Sequence, residues 1–243
     1  MAESEIGYHG GMDGAPLRKV AVFDIDGTLF RSSLVLELVE RLIERGIFPA
    51  EARETYRAAG EDWRNRTGSY QDFILKVVEA FAEYAKGVDF QEASNAAGEI
   101  IEQYKDRVYR YTRDLARQLK GEGYFLLAIS HSPKFIVDGF AYELGFDKSY
   151  GTFYATGPSD RFTGAIEDED LIMNKAAVLA RAAKKENLTL EGSVGVGDTE
   201  SDIAMLEMVA RPIAFNPNAG LYRHAKLRGW EVVVERKDVI YEV

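Results

Sequence analysis

Cysteine is absent from the 243 residues, which excludes disulfides, thiolate metal sites and cysteine nucleophiles. Histidine is scarce. His9, His131 and His224 are the three present, far apart in sequence, so a multi-histidine zinc cluster is not expected. Cations are in deficit, with 30 Lys and Arg against 40 Asp and Glu and a formal net charge of -10. Non-specific nucleic-acid affinity rests on neutralising phosphates with Lys and Arg, and the chain has no basic patch with interleaved aromatics. A nucleic-acid partner is therefore not expected, whereas a local basic pocket for a small anion remains open. No apolar run approaches the roughly 18 residues of a bilayer span, and no charged stretch followed by an apolar one marks the N-terminus as a secretory signal. The expectation is a soluble, cytoplasmic protein with no membrane partner.

What is present is a chain with 46% hydrophobic residues, enough for a large core plus a smaller companion domain. Residues 1–16, rich in glycine and without periodicity, are expected to form a flexible tail. Lys19 to Phe23 reads KVAVF, a short apolar run that stops at Asp24; such a run suits a strand buried on both faces of a parallel sheet. From residue 31 to about 120 the rhythm is helical. Leu34, Leu38, Leu42 and Ile43 share one helix face that ends at Gly46, and Pro49 suits the first turn of the next helix. Ser69 with Asp72, and Asp89 with Glu92, are capping-box-like starts.

Beyond Gly121 and Gly123 the pattern alternates. YFLLAIS is expected as a strand and 133–145 as a helix, while 150–155 and 162–166 read as a hairpin around GPSD. Next come a helix over 173–187, the strand SVGVG, a helix over 201–209, the strand PIAF, a helix over 218–228 and the strand EVVVE. Alternation of this kind predicts an α/β fold with a central parallel sheet flanked by helices.

Ligands of such sheets bind beyond the carboxyl ends of the strands, and the residues found there are informative. The first strand runs into Asp24-Ile25-Asp26-Gly27-Thr28, and the strand after the helical stretch ends at Ser130. SVGVG ends at Asp198, with Asp202 four residues on, and Lys175 lies near the start of the helix before that strand. Taken singly, each has a plainer role. The acids suit turns or helix caps, and Lys175 and Ser130 suit solvated positions. Five such elements in order at strand ends are poorly explained by coincidence.

The ordered set resembles the four motifs of the haloacid dehalogenase superfamily, with DIDGTLF as the first, Ser130 the second, Lys175 the third and GDTESD the fourth. The resemblance runs from about residue 19 to the end. SHSPKF and the helical insertion look most like the phosphoserine phosphatase-like branch. It implies a Rossmann-like core over 17–32 and 120–243 and an inserted helical C1-type cap over 33–119. It also implies a phosphatase in which Asp24 takes the phosphoryl group of a small-molecule phosphate ester and Asp26 acts as general acid and base. Mg2+ is the implied cofactor, held by Asp24, Asp26 through its backbone carbonyl, and Asp198, with Asp202 orienting its waters or Lys175. Ser130 and Lys175 would bind the phosphate, Thr28 would brace the loop, and His131 either touches substrate or is a plain loop histidine.

Phosphoserine phosphatases carry a glutamate nine residues after the nucleophile, where this chain has Ser33; phosphoserine is disfavoured accordingly. Phosphotransfer or mutase chemistry through the same intermediate, and a non-catalytic phosphate-binding role, are the alternatives. Dehalogenation needs no acid such as Asp26. Asn216 reads as a turn residue, and Arg53, Arg57, Arg64 and Arg66 read as solvated helix charges or as a source of a cation for substrate.

Overall fold

The computed structural model describes residues 17–243; the tail expected over 1–16 lies outside the described residues. β1 (Arg18–Phe23) alternates its side chains between two cores, as the two-residue period of a strand requires. Val20 and Val22 pack into one, while Ala21 and Phe23 pack into the other. Both faces are covered, which is why this segment reads as an uninterrupted apolar run rather than an alternating one.

The order of the eight-stranded sheet is β4-β3-β2-β1-β5-β6-β7-β8, the other strands being β2 (Phe125–Pro133), β3 (Lys148–Thr156), β4 (Phe162–Glu167), β5 (Leu188–Gly197), β6 (Arg211–Phe215), β7 (Glu231–Arg236) and β8 (Val239–Glu242). In that spatial order the strands from β3 across to β7 are parallel, and the edge strands β4 and β8 are antiparallel to their neighbours. β1 therefore lies between β2 and β5, with Phe23 opposite Ala128 on one side and Val196 on the other. The carboxyl ends of three central strands converge at one place.

Helices α1 (Leu34–Glu44), α2 (Glu54–Arg64), α3 (Tyr70–Ala85), α4 (Phe90–Tyr104) and α5 (Arg110–Gly121) lie between β1 and β2. A 3-10 turn, Ala50–Arg53, begins after Pro49 and leads into α2. Ser69 and Asp89 cap α3 and α4 with their side chains, accepting from Asp72 N and from Gln91 N and Glu92 N. These caps satisfy backbone donors that would otherwise lack partners. The α3–α4 segment is fastened to the β3–β4 hairpin: Gly87 N donates to the Phe162 carbonyl (2.8 Å), Phe162 N to Val88 (3.0 Å) and Phe90 N to Asp160 (2.8 Å). Phe81 packs edge-on against Tyr154, ring centroids 4.8 Å apart, beneath those bonds. α5 lies against β2 and buries Thr112, Leu115, Ala116 and Leu119.

After β2, α6 (Lys134–Glu143), a single turn α7 (Glu169–Ile172), α8 (Lys175–Lys185), α9 (Ile203–Leu206) and α10 (Ala219–Arg228) complete the fold. No helix among the described residues is long and apolar enough to cross a membrane.

Several elements differ from the sequence expectation. In place of one helix over 201–209 there is a 3-10 turn, Glu200–Asp202, followed by the short α9. The cause is Asp202, whose carboxylate bonds back to the start of the turn and tightens it. The helix expected from residue 173 begins at Lys175, because Asn174 caps it by accepting from Ala177 N. β5 starts at Leu188, well before SVGVG, pairing with Arg18 and Lys19 ahead of a register shift. The sequence expectation does not include β8, a largely exposed edge strand of four residues, Val-Ile-Tyr-Glu, too short for a strand period to show.

Candidate active site

Asp24 follows β1 directly, and its backbone N–H donates to the Val196 carbonyl (2.9 Å), which stitches the strand end to β5. The chain then turns sharply through Gly27, whose φ of 82° suits glycine. A side chain here would also collide with the Asp198 carboxylate. The loop after β1 and the loop after β5 are thereby held close enough for their carboxylates to meet.

Lys175 lies between them. Its Nζ donates to Asp24 Oδ1 (2.5 Å) and Asp202 Oδ1 (2.6 Å), and its side chain is 3% exposed. At the first position of α8 a cation opposes the helix dipole, and the two carboxylates offset that cost. The other oxygen of Asp202 accepts from Asp198 N and Thr199 N, both at 3.0 Å. Asp202 is thus committed to bracing Lys175 and the turn. The Asp198 carboxylate accepts no hydrogen bond among the described residues.

Asp26 points the opposite way. Its Oδ1 accepts from Leu34 N at the start of α1 (2.5 Å), and its Oδ2 accepts from Ser130 Oγ (2.6 Å) and Ser132 Oγ (2.9 Å). Ser132 Oγ also accepts from Val35 N (3.1 Å). The second acid of the pair is therefore tied to the end of β2 and to the first turn of the first inserted helix.

The electrostatics follow from burial. Burial, with Asp202 and Asp26 nearby, raises the Asp24 carboxyl to about 7 against the pull of Lys175. Burial, then Asp24 and Asp202, hold the Asp198 carboxyl well above the ordinary range. Burial works to lower Lys175, but Asp202 and Asp24 override it and its pKa is raised. Oxygens of Asp24, Asp198 and Asp202 lie within 4.8 Å of one another, and one lysine cannot neutralise three carboxylates. An all-oxygen set with surplus negative charge suits a hard divalent cation. The residues present fit Mg2+, with Asp24 and Asp198 as the side chains left to bind it.

A cavity of about 320 Å³ opens over this cluster. Asp24, Asp26, His131, Lys175 and Asp198 line it together with Ser33 and Ser132. Asp202 is wholly buried behind Lys175. Ser130, expected on the phosphate, and Thr28, expected to brace the loop, do not line the cavity. Ser130 is wholly buried against Asp26, while Thr28 points into the interior with its Oγ1 unpartnered and its carbonyl accepting from Thr112 Oγ1 (2.8 Å). His131 lines the cavity with its Nε2 unpartnered; burial, with Lys175 nearby, lowers it to about 4, so the ring is neutral.

Asn216, with a φ of 43°, accepts from Glu235 N and serves a turn away from the cavity. Arg53 and Arg57 pair with Glu40 and Glu54, and neither they nor Arg64 and Arg66 line it. His224 Nε2 lies 3.2 Å from Glu207 Oε1, and His9 lies outside the described residues.

Sequence reading missed Ser132. Its signal was the strand period: residues two apart on β2 face the same side, so Ser132 follows Ser130 onto Asp26. Replacing Ser132 by Ala removes one bond to a charged carboxylate, worth about 1.5–3 kcal/mol. The expected result is a fall in kcat of about tenfold to a hundredfold with KM nearly unchanged, recovered in part by Ser132→Thr. An unaltered kcat in steady-state assays would mean that Ser130 and Leu34 N hold Asp26 unaided.

Comparison with known proteins places this sheet, with its aspartate-lysine cluster at the central strand ends, in a family. The sequence profile of the haloacid dehalogenase-like hydrolase family matches residues 21–207, and the chain belongs to that family. It is similar to a histidinol-phosphatase of Neisseria meningitidis, 26% identical over 89% of this chain and 99% of that one. It is also similar to a phosphoserine phosphatase of Mycobacterium tuberculosis, 26% identical over 91% and 73% of the two chains. Among solved structures, a Bordetella pertussis protein of unknown function superposes with a TM-score of 0.72 at 23% identity, covering 89% of this chain and 98% of its own. A phosphoserine phosphatase bearing a phospho-aspartyl intermediate analogue superposes with a TM-score of 0.60 at 21% identity, covering 92% and 96%. These superpositions speak for the fold.

Proposed function

We propose that the protein is a Mg2+-dependent phosphatase that hydrolyses a small-molecule phosphate monoester through an aspartyl-phosphate on Asp24. The observation that carries this reading is the buried Lys175, bonded at once to Asp24 and Asp202 beside the unpartnered Asp198 carboxylate. Asp24 attacks phosphorus, and the bond to the leaving oxygen breaks as Asp26 supplies its proton. Asp26 then takes a proton from the water that attacks the aspartyl-phosphate, which regenerates Asp24 and releases phosphate. Lys175 holds one oxygen of Asp24 in place and offsets charge on the transferring group.

Mg2+, held by the Asp24 and Asp198 side chains and the Asp26 carbonyl, would supply charge neutralisation that lets a dianionic ester approach four carboxylates. The helices inserted between the first two motifs act as a cap. They exclude water from the intermediate and shape the space for the leaving group.

The test is phosphate release from an aryl phosphate with Mg2+ and with chelator, together with thermal denaturation of the same samples. At a Mg2+ concentration about a hundred times its Kd the wild type should gain about 2.7 kcal/mol, a shift of roughly 5–10 °C. Asp198→Asn should lose both the shift and the turnover. Turnover that survives chelation would sink the metal-dependent reading.

A further inference from the structure

We propose that the ester this site accepts carries an apolar leaving group without a carboxylate, an inference that rests on the phosphatase reading and deepens it. Above the carboxylate cluster the cavity has two apolar walls. One is a face of α3 bearing Ile74, Leu75 and Val78, and the other is built from Ile166, Ile172 and Met173 on and beside β4 and α7. Leu75 is 52% exposed and Met173 59% exposed, and neither packs into one of the two cores. Large apolar side chains on opposite walls of one cavity, both open to solvent, present unburied surface beside the reacting carboxylates. The group that covers it is continuous with the phosphate, because the same cavity is lined by Asp24 and Asp26.

Charge points the same way. Among the described residues Lys175 is the one lysine or arginine lining the cavity, and Asp24 and Asp202 already take its hydrogen bonds. The other charged groups on the lining are Asp24, Asp26, Glu169 and Asp198. A carboxylate on the leaving group would face like charges with no free cation on that lining to pair it, at a cost in desolvation. An alkyl or aryl body meets surface that gains from covering it.

Non-hydrolysable phosphonates read these walls by binding, whether or not an ester turns over. With Mg2+ present, calorimetry on a ladder from methylphosphonate to hexylphosphonate should show affinity rising about threefold to fourfold per added methylene until the cavity fills. An ω-carboxyalkylphosphonate should bind at least about tenfold more weakly than the alkylphosphonate of equal length. Leu75→Ser, a change at an exposed position, should lower the hexyl-over-methyl preference by about tenfold or more. A flat ladder, or tighter binding of a carboxylate- or ammonium-bearing analogue, overturns the inference; with Mg2+-dependent turnover of an aryl phosphate intact, the phosphatase reading survives it. No binding of any phosphonate and no turnover overturns both.

Discussion

Asp24→Asn is expected to abolish Mg2+-dependent phosphate release, lowering kcat by on the order of 10⁴-fold or more, because an amide cannot form the proposed aspartyl-phosphate. The same variant should be more stable than the wild type in chelator at neutral pH. Asp24 is raised from 3.8 to about 7 by burial and by its neighbouring acids, against Lys175. A carboxyl whose folded pKa lies above its unfolded value contributes stability that is present below about pH 4 and lost as pH rises through about 7. An asparagine at this position does not titrate, keeps an oxygen for Lys175 and removes one charge from the cluster. The difference in melting temperature between variant and wild type should therefore grow from about pH 4 to about pH 7 and level off above. His131, shifted in the opposite direction, is common to both proteins and cancels. Parallel melting curves across that window would show that burial and the neighbouring Asp202 and Asp26 do not raise Asp24.

Lys175→Met is expected to cost about 3–5 kcal/mol of stability, because removing one partner of a buried ion pair strands the others. Here two carboxylates are stranded, on side chains 6% and 0% exposed. The melting temperature of the chelated protein should fall by roughly 10 °C, and phosphate release should be lost. If the cost is stranded charge rather than lost packing, the double variant Lys175→Met/Asp24→Asn should melt above Lys175→Met alone. A double variant no more stable than the single would assign the loss to altered packing around residue 175.

Much of this arrangement was readable from the chain because the strand-forming signal and the chemical signal coincide. VAVF is apolar without a break and then stops at an acid, and SVGVG does the same, so the strand ends and the carboxylates announce each other. The cap residues Ser69 and Asp89 were readable for a local reason, the side chain to backbone bond being made within three residues. What depends on distant contacts was not readable. Ser132 matters because Val35 and Asp26 come to it from about a hundred positions away. Thr28 faces inward because α5 supplies Thr112 to its carbonyl. Leu75 and Met173 look like ordinary helix-flank hydrophobics until α3 and α7 are set on opposite sides of one cavity.

The central position of β1 also bears on how the molecule is made. Its two neighbours, β2 and β5, come from far along the chain, and the bond from Lys175 to Asp24 closes a separation of 151 residues. At ~5–20 residues per second, a ribosome that has just added Asp24 needs roughly ten to thirty seconds more to reach Asp198. During that interval the apolar edge of β1 facing β5 has no native partner. The earliest strand of the sheet thus waits for the fifth before both its edges are paired, and the newborn chain depends on the inserted helices and β2 to shelter it until then.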